Sequence, residues 1–184
     1  MASSRCLHPI LENAVRSRSS ILIYGPASTG KTHIAFAIQR CSPPDIGAVV
    51  IATEPGTLAF SRHHGLPAVE VLSIDEMARV VTRLIVEGRY PVIDTINWHY
   101  RSSPGYRLGG IMAYISSLLG ASGGVAIAQV SGEGEASGSH YIRPWMRYQA
   151  RTEKLEGGRY RMTIQKPYKR IIVYRLAGRE VEWL

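Results

Sequence analysis

The feature that most constrains this chain is a glycine-rich segment at residues 25–32, directly after the apolar run Ile-Leu-Ile-Tyr at 21–24. The segment is Gly-Pro-Ala-Ser-Thr-Gly-Lys-Thr, and four apolar residues then recur on one face of a predicted helix: Ile34, Ala35, Ala37 and Ile38. A buried strand, a glycine loop and a helix start in this order direct backbone N–H groups at one point, where they attract phosphate oxygens. The segment therefore predicts a phosphate-binding loop, called the phosphate loop below.

The residues of the phosphate loop have distinct expected roles toward a nucleoside triphosphate. We expect Lys31 to reach the β- and γ-phosphates and the Thr32 hydroxyl to bind Mg²⁺. Gly25 and Gly30 permit backbone angles and a close approach that a Cβ would block. The predicted nucleotide contacts are Gly25, Pro26, Ala27, Ser28, Thr29, Gly30, Lys31 and Thr32. The predicted cofactors are ATP and Mg²⁺.

The order of predicted elements favours one α/β domain over residues 1–184. Strands are predicted at 21–24, 48–52, 69–72, 92–94 and 124–130, and helices at 10–15, directly after the phosphate loop, at 74–87 and at 108–119. After residue 139 the helical pattern ends, and short alternating runs predict strands at 160–164, 171–174 and 181–183. This order predicts a mostly parallel central sheet flanked by helices, with antiparallel strands at the C-terminal end.

Composition and cysteine usage restrict the class of protein. No apolar stretch approaches the roughly 20 residues that span a bilayer, and residues 1–8 lack the apolar core of a signal peptide. The two cysteines, Cys6 and Cys41, form no C-x-x-C motif and no disulfide framework. We therefore expect a cytoplasmic protein without a membrane partner; its expected association with the nucleoid depends on the DNA binding considered below.

Positive charge is concentrated in residues 143–184, which hold eleven basic and four acidic residues and thus +7 of the net +8. Such a surface attracts polyanions, most often nucleic acid. The loop after Asn97 adds Tyr100, Arg101 and Arg107, which suit base stacking and phosphate contact with single-stranded DNA. The alternatives are a solvated arginine-rich face and a loop whose aromatic side chains pack on the domain.

Three polar residues are predicted at the carboxyl ends of strands, the edge where open α/β sheets bind ligands. Asp94 would hold Mg²⁺ through its water shell. Glu54 would orient and deprotonate the attacking water. Gln129 would sense the γ-phosphate. The alternative for each is a helix cap or a solvated strand end.

Several of these segments, taken in order, resemble the RecA/RadA recombinase family, most closely its RadB-like archaeal paralogues that consist of the ATPase core alone. The segments are residues 25–32, Thr53-Glu54, 92–97 with 99–101, and Gln129-Val130. The resemblance implies a RecA-like P-loop ATPase core, with Lys31, Glu54 and Gln129 catalytic and Thr32 and Asp94 on the metal.

The resemblance also implies a weak DNA-dependent ATPase that binds single-stranded DNA and assists homologous recombination and DNA repair. Its expected partners are a main RadA-type recombinase, other paralogues or further copies of the chain. Two alternatives stay open: a non-catalytic regulatory module that docks on the main recombinase, and a KaiC-like signalling ATPase. The loop 131–139, which the resemblance implies faces DNA, contains Glu133 and Glu135. Their negative charges are a poor complement to DNA phosphates, and this favours weak turnover.

Overall fold

The computed structural model describes residues 6–130 and 134–184, which include nine strands in one mixed sheet. The strands are β1 Ser20–Gly25, β2 Ala48–Ala52, β3 Val69–Glu70, β4 Tyr90–Asp94, β5 Gly124–Gln129, β6 Tyr148–Lys154, β7 Arg159–Lys166, β8 Arg170–Ala177 and β9 Glu180–Trp183. Their order across the sheet is β3-β2-β4-β5-β1-β6-β7-β8-β9. Neighbours from β3 to β6 are parallel, and those from β6 to β9 are antiparallel.

Helices cover both faces of the parallel part of the sheet. They are α1 Pro9–Arg16, α2 Lys31–Cys41, α3 Pro55–His64, α4 Ile74–Val86, α5 Trp98–Ser102, α6 Tyr106–Ser122 and α7 Ser139–Ile142. On β1, Ile21 and Ile23 pack in the layer with α1 and α2, whereas Leu22 and Tyr24 pack in the layer with α4 and α6. Because successive side chains of a strand point to opposite faces, a strand covered on both sides is apolar throughout.

The predicted α/β class with a parallel core and antiparallel C-terminal strands is confirmed, but some elements differ. Strand β6 was not predicted, and it pairs parallel with β1, so the antiparallel extension begins only at β7. Strand β4 begins at Tyr90 and includes the buried Pro91, so it starts two residues earlier than the predicted strand 92–94. Helix α3 was also not predicted. None of the helices described is both long and apolar enough to cross a membrane.

Cys6 and Cys41 are joined by a disulfide, although no cysteine motif predicted one. Their Cα atoms lie 5.7 Å apart, and the bond ties the segment before α1 to the last residue of α2. The expectation of two unlinked cysteines was therefore wrong. The spacing of 35 residues carried no local signal for the pairing, which arises because α1 and α2 pack in the same layer.

Candidate nucleotide-binding site

The phosphate loop connects the end of β1 to the start of α2, at the edge of the sheet where the parallel strands end. It borders a cavity of about 470 Å³, called the loop cavity below. Side chains from three strand ends also line this cavity: Glu54, Asp94 and Gln129. The structure thus brings the three predicted strand-end residues to the phosphate loop.

Lys31 lies inside the loop cavity and is 7% exposed. Its Nζ donates hydrogen bonds to the Gly25 carbonyl at 3.0 Å and to the Pro26 carbonyl. Burial lowers the pKa of Lys31 to about 8, while the nearby carboxylates of Asp94 and Glu54 oppose that shift. The ammonium group is therefore held among loop carbonyls, where a cation can contact phosphate oxygens.

Thr32 and Asp94 meet although 62 residues separate them in sequence. Thr32 Oγ1 donates to Asp94 Oδ2 at 2.8 Å, and Thr57 Oγ1 donates to the same oxygen at 2.9 Å. Asp94 is 1% exposed, and burial raises its pKa while the two hydroxyl hydrogen bonds oppose that rise. A hydroxyl and a carboxylate at hydrogen-bond distance are oxygen donors of the kind that Mg²⁺ takes together with phosphates and water.

A nucleotide-linked Mg²⁺ suits this donor set better than a metal held by protein alone. In the part of the chain that the structure describes, no group of three or more His, Cys, Asp or Glu side chains is arranged to hold a metal ion. Thr32 and Asp94 each supply an oxygen ligand, which leaves most of the octahedral coordination shell of Mg²⁺ to other ligands. This arrangement fits an ion that arrives with phosphate oxygens.

Glu54 and Gln129 are each fixed by a residue of the segment after β4. Thr95 Oγ1 donates to Glu54 Oε1 at 2.8 Å. The amide of Asn97 bonds both backbone groups of Gln129, accepting from its N–H at 3.1 Å and donating to its carbonyl at 3.0 Å. Thr53 in turn bonds Thr95, since its Oγ1 donates to the Thr95 carbonyl at 2.8 Å. The ends of β2, β4 and β5 are therefore cross-linked around the loop cavity.

The C-terminal strands support the phosphate loop from behind, which the sequence did not predict. Thr29 Oγ1 lies 2.8 Å from Thr152 Oγ1 of β6, and Tyr174 of β8 donates its hydroxyl hydrogen to the Thr29 carbonyl at 2.6 Å. A Cβ on Gly25 would overlap the Thr152 carbonyl, and one on Gly30 would come within 2.9 Å of Leu176. Gly25 is thus required by its close packing against the Thr152 backbone, and Gly30 by its left-handed φ of +78°.

The three residues predicted to contact DNA do not form one open surface. Arg107 bonds both carboxylate oxygens of Asp75 at 3.1 Å. Tyr100 is half-buried, and its ring lies 5.9 Å from the ring of Tyr141, edge to face. Arg101 is half-buried, and its Nη1 has no hydrogen-bond partner within the described residues. For Tyr100 this packing favours the alternative of a ring packed on the domain.

The predicted acidic loop is described only in part. Ser131, Gly132 and Glu133 lie outside the described residues. Glu135 accepts a hydrogen bond from Ser139 Oγ at 2.9 Å and forms an ion pair with Arg143. Its charge is thus directed at a neighbouring guanidinium.

Comparison with known proteins overturns the recombinase resemblance. The model of the family described as parvovirus non-structural protein NS1 matches residues 3–62, less than half of the chain, and no RecA/RadA family model matches. No curated protein matches the chain. The assignment to the RecA/RadA family, including its archaeal paralogues, was therefore wrong. Unrelated proteins that bind phosphates can share a phosphate loop with polar residues at neighbouring strand ends, so this arrangement does not by itself identify a family.

Proposed function

We propose that the loop cavity binds ATP with Mg²⁺ and hydrolyses it slowly. The contact between Thr32 Oγ1 and Asp94 Oδ2, at 2.8 Å and beside the buried Lys31, carries the proposal. The buried Lys31 and the oxygens of Thr32 and Asp94 line one cavity, bordered by a glycine loop and the start of a helix, and such a set suits phosphates that carry a Mg²⁺ ion. The parvovirus NS1 match, over residues 3–62, includes the phosphate loop, Lys31 and Thr32 but not Asp94.

Each side chain has a defined task in this proposal. Lys31 neutralises charge on the terminal phosphates, and Thr32 and Asp94 hold Mg²⁺, which supplies further charge neutralisation when bound. Glu54 orients a water and accepts its proton, and the Thr95 hydroxyl fixes the direction of that carboxylate. Gln129 contacts the γ-phosphate from the end of β5.

A second candidate is a nucleotide-binding module without turnover. It is favoured by the engagement of Glu54 Oε1 with Thr95, because this hydrogen bond occupies part of the carboxylate that would otherwise accept from a water. This candidate shares the nucleotide site and differs only in the fate of the γ-phosphate.

We further propose that the basic C-terminal segment, residues 143–184, binds single-stranded DNA, since it carries a net charge of +7. The role in recombination and the recombinase partner depended on the overturned resemblance and form no part of this proposal.

Steady-state ATP turnover, with and without single-stranded DNA, tests the hydrolytic proposal. We expect Glu54→Gln to lower kcat by about 10²–10⁴ and to leave nucleotide affinity unchanged, because a base acts in the transition state. Glu70→Gln is the matched control, since it removes another strand-end carboxylate outside the loop cavity. Unchanged turnover in Glu54→Gln would exclude Glu54 as the base. Nucleotide binding without turnover in the natural chain would establish the second candidate.

A further inference from the structure

A second cavity, of about 510 Å³, lies on the other face of the sheet from α1 and α2. Met162 and Ile164 of β7 pack in the layer with α1 and α2, so the alternate residues Thr163 and Gln165 face the opposite side. The lining residues of this basic cavity are Arg143, Gln149, Thr163, Gln165, Lys166 and Lys169. Three of the six are cationic and none is acidic.

We propose that the basic cavity holds the phosphate backbone of single-stranded DNA, with the adjacent Tyr168 stacking on a base. The proposal rests on the DNA-binding part of the proposed function, and it replaces the loop after Asn97 as the expected contact surface.

The guanidinium of Arg143, which lines the basic cavity, is fixed by hydrogen bonds. Arg143 Nε donates to Gln149 Oε1 at 3.0 Å, and Gln149 Nε2 donates back to the Arg143 carbonyl at 2.8 Å. Gln149 is fully buried, so the side chain that fixes the Arg143 guanidinium is itself held within the fold. Glu135 forms an ion pair with Arg143, and Arg143 lines the cavity together with the two lysines.

The rim of the basic cavity carries unpaired charge. Lys166 and Lys169 are exposed at the turn between β7 and β8, and their ammonium groups make no ion pair or hydrogen bond within residues 6–130 and 134–184. Arg161 on the same hairpin, by contrast, is neutralised by Glu153 at 2.8 Å. Free ammonium groups around a cavity are suited to backbone phosphates, whose release of counterions drives binding.

An aromatic ring beside these lysines indicates a single strand. Tyr168 is 46% exposed, and the guanidinium carbon of Arg170 lies 5.5 Å from its ring centroid. Bases of a single strand stack on such rings, whereas a duplex hides its base faces. Cations that track a backbone beside a stacking ring are the usual arrangement for binding without sequence preference.

The basic cavity is also close to the phosphate loop. Tyr24, the residue before Gly25, donates its hydroxyl hydrogen to Gln165 Oε1 at 2.6 Å, and the Arg143 guanidinium lies 5.9 Å from the Tyr24 ring. The Gly25 carbonyl in turn accepts from Lys31. The Tyr24 side chain therefore lies between the proposed DNA site and β1, the strand that leads into the phosphate loop. We expect DNA in this cavity to change the rate of ATP turnover.

Fluorescence anisotropy of a labelled oligothymidylate, measured with the full chain across a salt series and without nucleotide, tests the proposal. We expect Lys166→Ala/Lys169→Ala to weaken binding about tenfold or more at low salt and to reduce the slope of log affinity against log salt by about 1.4, or 0.7 per lost phosphate contact. We expect Tyr168→Ala to weaken binding without changing the slope.

A matched control lies in the same hairpin. Arg159 and Arg175 are exposed cross-strand partners at its other end, about 20 Å from Lys166 at roughly 3.3 Å per residue. We expect Arg159→Ala/Arg175→Ala to leave the slope unchanged, and Lys166→Arg/Lys169→Arg to retain binding. Circular dichroism of each variant establishes that the fold is intact.

Four outcomes would overturn the proposal: no binding by the natural chain at low salt, equal losses in the two alanine pairs, duplex bound as tightly as single strand, or full affinity in Tyr168→Ala. The last two would indicate a general polyanion surface. Because the titration contains no nucleotide, DNA binding at this cavity in a chain that fails to bind ATP would contradict only the nucleotide proposal.

Discussion

The hydrogen bond between Tyr174 and the phosphate loop gives the sharpest prediction for stability. Tyr174 is fully buried, and its hydroxyl donates to the carbonyl of Thr29, which is itself 2% exposed. Tyr174→Phe leaves that carbonyl without this donor, which costs about 1–3 kcal/mol of unfolding free energy. For a chain of this size each kcal/mol lowers Tm by about 2–4 °C.

Urea denaturation and thermal unfolding measure this loss, and Tyr160→Phe is the matched control. The Tyr160 ring stacks on Tyr174 at 5.5 Å, but its hydroxyl makes no hydrogen bond among the described residues. We therefore expect the control to lie within about 0.5 kcal/mol of the natural chain. Equal unfolding free energies for the two variants would refute the reasoning that β8 supports the phosphate loop.

The pH dependence of that difference follows from burial, which raises the pKa of Tyr174 above its ordinary value of about 10. The folded state then holds its proton more tightly than the unfolded state. The hydroxyl's contribution is therefore fully present below pH ~10 and is lost as pH rises toward the folded-state pKa. We expect the gap between the natural chain and Tyr174→Phe to be constant at neutral pH and to shrink in strong alkali. A gap that varies between mildly acidic and neutral pH would contradict this origin.

Three further changes have defined outcomes. Gly30→Ala places a side chain at φ +78°, in the left-handed region, and should lower the unfolding free energy by about 1–2 kcal/mol in urea titration. Thr57→Val removes a 2.9 Å hydrogen bond to the buried Asp94 carboxylate, and calorimetry should show weaker Mg²⁺-dependent nucleotide binding; unchanged affinity would contradict the role of Thr57. Reduction of the bond between Cys6 and Cys41 should cost about 4 kcal/mol of stability, from the chain entropy of a loop of 35 residues.

Those parts of the candidate site were predictable whose position in the fold depends on a local sequence pattern. The phosphate loop is contiguous in sequence, Asp94 and Gln129 end strands of the parallel part of the sheet, and Glu54 follows the end of β2 by two residues. Because the carboxyl ends of parallel strands share an edge, their convergence follows from the predicted topology. The structure confirms this placement, while their chemical roles stay predictions.

The supports of the site were not predictable from local pattern. Thr152 and Tyr174 contact Thr29 across more than 120 residues. The Thr152 contact depends on the unpredicted parallel strand β6, and the Tyr174 contact on the register of antiparallel strands, which short alternating runs do not encode. The predicted DNA contacts were likewise affected by a contact between residues that are distant in sequence. The mixture of aromatic and basic residues suggested an open surface, but Arg107 is paired with Asp75, a residue in a different helix.

Binding of a fluorescent ATP analogue with Mg²⁺ tests the central claim most directly. We expect saturable binding that is lost when EDTA removes Mg²⁺, and about a tenfold or greater weakening in Lys31→Ala, equivalent to about 1.4 kcal/mol or more. Lys154→Ala, which removes an exposed lysine outside the loop cavity, is the control and should bind like the natural chain. Equal affinity in Lys31→Ala and Lys154→Ala, or binding unaffected by EDTA, would contradict the assignment of a Mg²⁺–ATP site to the phosphate loop.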